Sequence, residues 1–289
     1  MTTTASPSAP AAVGVIGGGR MGAGIAQSFA AAGSSVTVVE SGGEAAAAAL
    51  ERVAGGLRRA AERGKLGGSV EEILNRVTLT DSIGGLPADA DLVVEAVPED
   101  AALKAGVLAA AERAVGSTAV LATNTSSLSV TELAAALTRP GRFLGMHFFN
   151  PVPASALVEI VVAPGTDAGV VETALNWTQA LGKKDVVVKD SPGFASSRLG
   201  LALGLEAIRM VEDGVASAEA IDDAMSLGYK HPMGPLRLTD LVGLDVRLAI
   251  AEYLHATLGE RFAPPQLLRD KVTRGELGRK TGQGFYVWE

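Results

Sequence analysis

Val13-Gly14-Val15-Ile16-Gly17-Gly18-Gly19-Arg20-Met21-Gly22 is the stretch that decides the fold of this 289-residue chain. A β-branched run passes straight into G-x-G-x-x-G, and alanine-rich sequence follows, so a strand, a tight turn and a helix are predicted in that order. Gly17 permits the turn, Gly19 lets backbone approach a pyrophosphate, and Gly22 lets helix pack on strand. With Arg20 and Met21 in its first turn, the helix offers unsatisfied N–H groups and the positive end of a dipole. Gly17, Gly18, Gly19, Arg20, Met21 and Gly22 are therefore the candidate phosphate cradle. In a chain with 35 glycines the motif alone is weak. Glu40 strengthens it, because it closes the next β-branched run 18 positions after Gly22. A carboxylate there accepts the adenosine ribose hydroxyls and repels a 2′-phosphate, and no Arg or Lys falls between Glu40 and Glu51. The cofactor implied is NAD rather than NADP.

Outward from this turn the pattern repeats. Strands are expected at residues 13–16, 35–39, 92–97 and 119–122, separated by helical stretches, which is the βαβ signature of a mostly parallel sheet. Two further runs, 143–148 and 157–162, flank Pro151 and Pro153, so a strand, a rigid turn and a second strand are predicted, with a last strand at 185–188. After Ser191-Pro192-Gly193 the apolar spacing becomes helical through Leu199, Leu203, Ala207, Ile208 and Val211. Pro192 suits a first helical turn, Gly214 a helix end and Ser217 an N-cap. Helices follow at 236–241, 245–258 and 265–274, then a strand-like tail at 285–288. The expected organisation is a floppy tail over residues 1–12, a Rossmann-type α/β NAD-binding domain over 13–190, and an all-helical C-terminal domain over 191–289.

Composition removes several classes of function. Without cysteine there is no disulfide, thiolate nucleophile or iron–sulfur cluster, and the three histidines, His147, His231 and His255, show no H-E-x-x-H spacing. No metal is expected. A net charge of −7 argues against nucleic acid as a partner. No apolar run reaches the ~18 residues of a membrane span, and the first twelve residues lack an export signal, so the cytoplasm is the expected compartment.

His147 lies in the run Gly145–Pro151, between aromatics, where a histidine is more often a core residue than a catalyst. Glu159, twelve residues on, sits in a β-branched run where a carboxylate is either solvated or paired. If the Pro-Val-Pro turn folds the two strands together, Glu159 meets His147. Such a pair fixes the imidazole tautomer, and the second ring nitrogen then serves as a base near neutral pH. Asn124-Thr125-Ser126-Ser127 falls just past an expected strand end, where open α/β sheets bind ligands. Its hydroxyls suit a substrate oxygen, although Ser127 or Ser129 also suits an N-cap.

Taken in order, VVEAVPED (93–100), NTSSL (124–128), HFFNPVP (147–153), DSPGF (190–194), HPMGP (231–235) and GRKTGQGFY (278–286) resemble the 3-hydroxyacyl-CoA dehydrogenase family. The similarity is strongest to its short 3-hydroxybutyryl-CoA branch and extends from about Val13 to the C-terminus. It implies His147 as general acid/base, Glu159 as its orienting partner, and Ser126 and Asn150 at the reacting part of the substrate. Glu99, Lys104, Ser126 and Lys280 match positions that contact NAD. The family's helical domain carries most of its dimer interface, so a homodimer is implied. An acyl-CoA substrate is implied too, and Arg63 falls nearest a family lysine that approaches the CoA nucleotide. Arg52, Arg58, Arg59, Arg63 and Lys65 against Glu51 and Glu62 give that stretch a local charge of +3.

Two departures bear on the substrate. Ser197 stands where relatives often carry the asparagine of the substrate site, and Ala154-Ser155-Ala156 follows the Pro-Val-Pro turn where a larger apolar residue and a lysine are common. The expected reaction is reversible oxidation of a short (S)-3-hydroxyacyl-CoA. The same chemistry on 3-hydroxyadipyl-CoA or a carrier-bound hydroxyacyl group is the alternative, with a non-catalytic dinucleotide-binding protein behind it.

Overall fold

The computed structural model describes residues 7–289, and the chain divides into two compact units, one ending at Asp190 and one beginning at Ser191. In chain order the first unit contains β1 (Ala12–Ile16), α1 (Arg20–Ala31), β2 (Ser35–Val39), α2 (Gly43–Glu62), α3 (Val70–Leu74), β3 (Val77–Thr80), β4 (Leu92–Glu95) and α4 (Ala101–Ala114). It continues with β5 (Val120–Thr123), α5 (Val130–Ala134), β6 (Phe143–Phe148), β7 (Leu157–Val162), α6 (Ala168–Ala180) and β8 (Lys184–Lys189). The strands form one sheet ordered β3-β2-β1-β4-β5-β6-β7-β8. Every neighbouring pair is parallel except β6 and β7.

The first six positions of that order are the doubly wound nucleotide-binding arrangement, whose strand order reverses beside β1 and opens a crevice at the carboxyl ends of the strands. Its central strands are apolar on both faces because helices cover both. Val13, Val15, Leu92 and Val94 are fully buried and share a core with Ile25 and Phe29 of α1 and Leu57 of α2.

The structure departs from the sequence-based expectations in a few places. β3 and α3 have no counterpart among them. VTLT (77–80) is a four-residue edge strand with only partly buried residues after Val77, too short for a clear alternation. The strand expected to reach Val97 stops at Glu95, because the chain turns there. Most of the tail predicted over residues 1–12 lies outside the described residues. Its end is not loose: Ala12 belongs to β1, the N–H groups of Ala11 and Ala12 donate to Asp91, and the Pro10 carbonyl accepts from Ser34.

The second unit holds α7 (Ser196–Glu212), α8 (Ala218–Asp223), α9 (Pro235–Val242), α10 (Leu244–Leu258) and α11 (Gln266–Thr273). Leu201, Leu205, Ile208, Leu236, Leu244 and Leu254 form the centre of its separate core. Pro192 does not enter a helix. Gly193 and Phe194 take φ of 73° and 50°, so the chain turns before α7 starts at Ser196. Gly214 does end that helix region in the left-handed conformation, and Ser217 does cap α8 through the Ala220 N–H. The expected strand at 285–288 is only an isolated bridge between Gln283 and Val287. Side chains fix this tail instead: Asp240 accepts from the Phe285 and Tyr286 N–H groups and the Trp288 indole, and Asp222 accepts from the Tyr286 hydroxyl.

Candidate active site

The glycine turn is built as its residues require. Gly17 has φ of 97°, and a side chain there would also press into the Ala96 carbonyl. A Cβ on Gly22 would lie 1.8 Å from the Gly17 oxygen, so only glycine lets α1 begin this close to β1. Beside Gly19, by contrast, a Cβ would meet nothing, which leaves its backbone open to a ligand. No side chain caps the N-terminus of α1, where Arg20 and Met21 stand, so its first N–H groups still call for an anion. Glu40, just past β2, accepts the Gly18 N–H at 2.5 Å, and Arg52 of α2 donates to the Gly18 carbonyl at 3.1 Å. Glycines, acid and uncapped helix end therefore converge on one crevice that fits a dinucleotide.

The antiparallel register of β6 and β7 sets His147 directly opposite Glu159. Directly opposed residues share a face of the sheet. The His147 Nδ1 lies 2.7 Å from Glu159 Oε2, both residues are buried, and Phe149 packs on the imidazole with ring centroids 4.4 Å apart. Asn150 follows at an exposed position and begins the turn through Pro151 to Pro153, entered by a cis Asn150–Pro151 bond. Lys183 holds that turn from beneath by donating to the Val152 and Ser155 carbonyls at 2.7 and 2.6 Å. Burial pushes the Lys183 ammonium below its ordinary pKa. Sequence reasoning missed this lysine, because nothing in its local pattern marks it.

The loop after β5 is organised by a second cluster. Glu99 Oε1 accepts the Thr125 hydroxyl at 2.5 Å and the N–H groups of Ser126 and Ser127 at 3.0 and 3.2 Å. Burial raises the Glu99 pKa, but Lys104 and the donors from Thr125 and Ser126 outweigh it and hold the carboxyl below its ordinary value. Lys104, expected at the cofactor, is instead buried beside Glu95 at the end of β4. Its ammonium contacts Glu95 Oε1 at 2.8 Å, the Val97 carbonyl at 3.1 Å and Glu99 Oε2 at 3.3 Å. Three N–H groups meet three acceptors, so Lys104 acts on the loop through Glu99. Glu95 was missed; a carboxylate ending an apolar strand is the signal that could have found it. Asn124 adds a further tie, its Oδ1 accepting the Phe148 N–H at 2.8 Å. Ser129, not Ser127, caps α5.

A groove of about 1160 Å³ runs across the first unit. Asn150 to Ala154 form one part of its wall, and Arg20, Arg52, Arg58, Arg59, Arg63 and Lys65 bring cations to it, with Glu51 and Glu62 among them. The remaining expected residues belong to the second unit. Ser197 stands half-buried in the first turn of α7, and Lys280 pairs with Asp245 at 2.6 Å. Among the described residues no group of His, Asp and Glu is arranged to hold a metal ion, and no helix is long and apolar enough to cross a membrane.

A doubly wound sheet with this cradle at its switch point defines the class, a dinucleotide-binding protein. Comparison with known proteins goes further. Residues 12–191 match the NAD-binding domain of 3-hydroxyacyl-CoA dehydrogenase, and residues 193–288 match its C-terminal domain. A probable 3-hydroxybutyryl-CoA dehydrogenase of Bacillus subtilis is 43% identical over 277 residues, covering 95% of this chain and 96% of the relative. A 3-hydroxybutyryl-CoA dehydrogenase of Mycobacterium tuberculosis is 44% identical, covering 96% and 98%. The crystal structure of FadB2 from M. tuberculosis superposes with a TM-score of 0.94 at 42% identity, covering 98% of this chain and all of that one. The chain belongs to the 3-hydroxyacyl-CoA dehydrogenase family, whose members are NAD-dependent oxidoreductases.

Proposed function

We propose that the protein reversibly oxidises a short (S)-3-hydroxyacyl-CoA, such as 3-hydroxybutyryl-CoA, to the 3-oxoacyl-CoA, with His147 and Glu159 as its acid/base pair. The observation that carries this reading is the 2.7 Å contact between His147 Nδ1 and Glu159 at the end of a strand of a dinucleotide-binding sheet. NAD, when bound, supplies the acceptor for the hydride leaving C3. Glu159 fixes the imidazole so that the nitrogen opposite Nδ1 takes the C3 hydroxyl proton. As the C3–H bond gives up its electron pair, the C3–O bond becomes a carbonyl. In the reverse direction His147 returns the proton. Ser126 and Asn150 donate hydrogen bonds to the C3 oxygen and polarise it. Glu99 keeps the Ser126 loop in place, and Glu40 and the turn from Gly17 to Gly22 hold the cofactor.

The basic groove supports CoA as the handle. Arg63 and its neighbours offer cations for the nucleotide phosphates, while the same groove ends at Asn150. Exposed apolar side chains on the second unit, Leu199 and Leu203 of α7 and Leu238 and Val242 of α9, support a homodimer formed through that unit. The cysteine-free sequence favours the cytoplasm as its compartment.

The test is NADH consumption with acetoacetyl-CoA, run beside His147→Ala. The variant should lose about 10²- to 10⁴-fold in kcat, the usual contribution of a positioned acid/base. Equal rates in the two proteins would overturn the mechanism. Absence of activity in both would return the chain to the class of non-catalytic dinucleotide-binding proteins.

A further inference from the structure

In the second unit a buried cation has nothing to hold. Arg247 of α10 is only 6% exposed. Among the described residues no hydrogen bond to its side chain and no ion pair with it occurs, and its Nε is buried without a partner. Burial pushes the guanidinium down to about 10, so it remains charged at neutral pH. A buried charge is kept only where something compensates it.

The place where it lies is specific. A Cβ built on Gly200 of α7 would stand 3.6 Å from Nη1 and 3.9 Å from Nη2 of Arg247, so the guanidinium reaches over a gap in the helix surface. One turn further, a Cβ on Gly204 would stand 3.1 Å from the hydroxyl of Thr239, a second fully buried donor without a partner. Ser197, Gly200 and Gly204 follow one another at helical spacing on the same face of α7. The face therefore begins at the residue assigned to the substrate and continues past a guanidinium and a hydroxyl. Planar guanidinium with a neighbouring hydroxyl is the chemistry of carboxylate recognition.

We propose that Arg247, assisted by Thr239, binds a carboxylate at the far end of the acyl group, so that the preferred substrate is a short dicarboxylic 3-hydroxyacyl-CoA. The proposal rests on the dehydrogenase reading given above and makes Arg247 a specificity residue rather than a catalytic one. Ser197 contributes by being short, since a serine leaves more room at the start of this face than an asparagine.

The experiment compares 3-oxoadipyl-CoA with its uncharged equal-length counterpart 3-oxohexanoyl-CoA, in NADH consumption by the full chain. The wild-type protein should favour the dicarboxylic thioester in kcat/KM by about 30-fold or more, the lower range for a buried charge pair. Arg247→Met should remove that preference and leave 3-oxohexanoyl-CoA turnover within a few fold. The wild-type comparison stands whether or not the variant folds. Equal kcat/KM for the two thioesters overturns the proposal while the dehydrogenase reading survives. Failure to turn over either thioester, or acetoacetyl-CoA, overturns that reading and the proposal with it. Stimulation of acetoacetyl-CoA turnover by free succinate, with no preference between the thioesters, would make the site one for a free carboxylate and overturn the substrate assignment.

Discussion

Lys104 and Arg247 are two buried cations with opposite surroundings. Lys104 is 1% exposed and meets Glu95, Glu99 and the Val97 carbonyl, so each of its N–H groups has an acceptor. Arg247 is almost as buried and has no acceptor among the described residues. A protein keeps the first kind for what the charge holds together, here the end of β4 and the loop carrying Ser126. The second kind costs stability in the protein alone, so its use lies in something that arrives. A saturated ion pair points to architecture, and an unsaturated one points to a ligand.

Removing Lys104 should produce the larger effect on stability. Lys104→Met leaves Glu95 buried without its cation, and breaking such a pair costs about 3–5 kcal/mol. A marked fall in the urea midpoint is expected, with weaker NAD binding because the Glu99 loop loses its support. The double change Lys104→Met with Glu95→Gln should recover part of the loss, since no bare carboxylate then remains. An unchanged midpoint in the single variant would break the contrast on its first side.

The two cations also differ from the rest of the site in how far the amino-acid sequence announces them. The run from Val13 to Gly22 and the acid at Glu40 define a strand, turn and helix through spacing alone, because glycine at those positions answers a local steric need. His147 and Glu159 are legible as a pair because Pro151 and Pro153 announce the turn that brings their strands together. Lys104 resists such reading. Its neighbours in sequence suggest a helix position, and only the packing of α4 beside β4 brings it to Glu95. Arg247 is equally silent: what marks it is the missing side chain of Gly200, 47 positions away. Tertiary burial of charge has no local signature, whereas turns and strand endings do.

Arg247→Met should move stability the other way, or not at all. Methionine fills a similar volume, and removing a buried charge that lacks a partner eliminates a desolvation cost. The expected result is a urea midpoint unchanged or higher, by at most about 2 kcal/mol. A loss comparable with that of Lys104→Met would mean that Arg247 is structural, and the contrast would fail on its second side.

The smallest effect concerns Glu99, which joins Lys104 to the loop and is partly exposed. Its carboxyl lies below the ordinary value in the folded protein, since Lys104 and the loop donors outweigh the effect of burial. The unfolded chain therefore takes up this proton first as pH falls. Stabilisation from Glu99 is complete above the ordinary carboxylate value of 4.5 and is lost as pH falls through the lower folded value. Its side chain is 37% exposed, so solvent screening limits the contribution to less than about 1 kcal/mol. Thermal unfolding of the wild type and Glu99→Gln at several pH values reads this directly. The wild type should melt slightly higher at pH 7, and the gap should close as pH falls below about 4.5. A gap that stays constant through the acid range would show that the loop is held by the shape of Glu99 rather than its charge. The ion cluster around Lys104 would then end at Glu95.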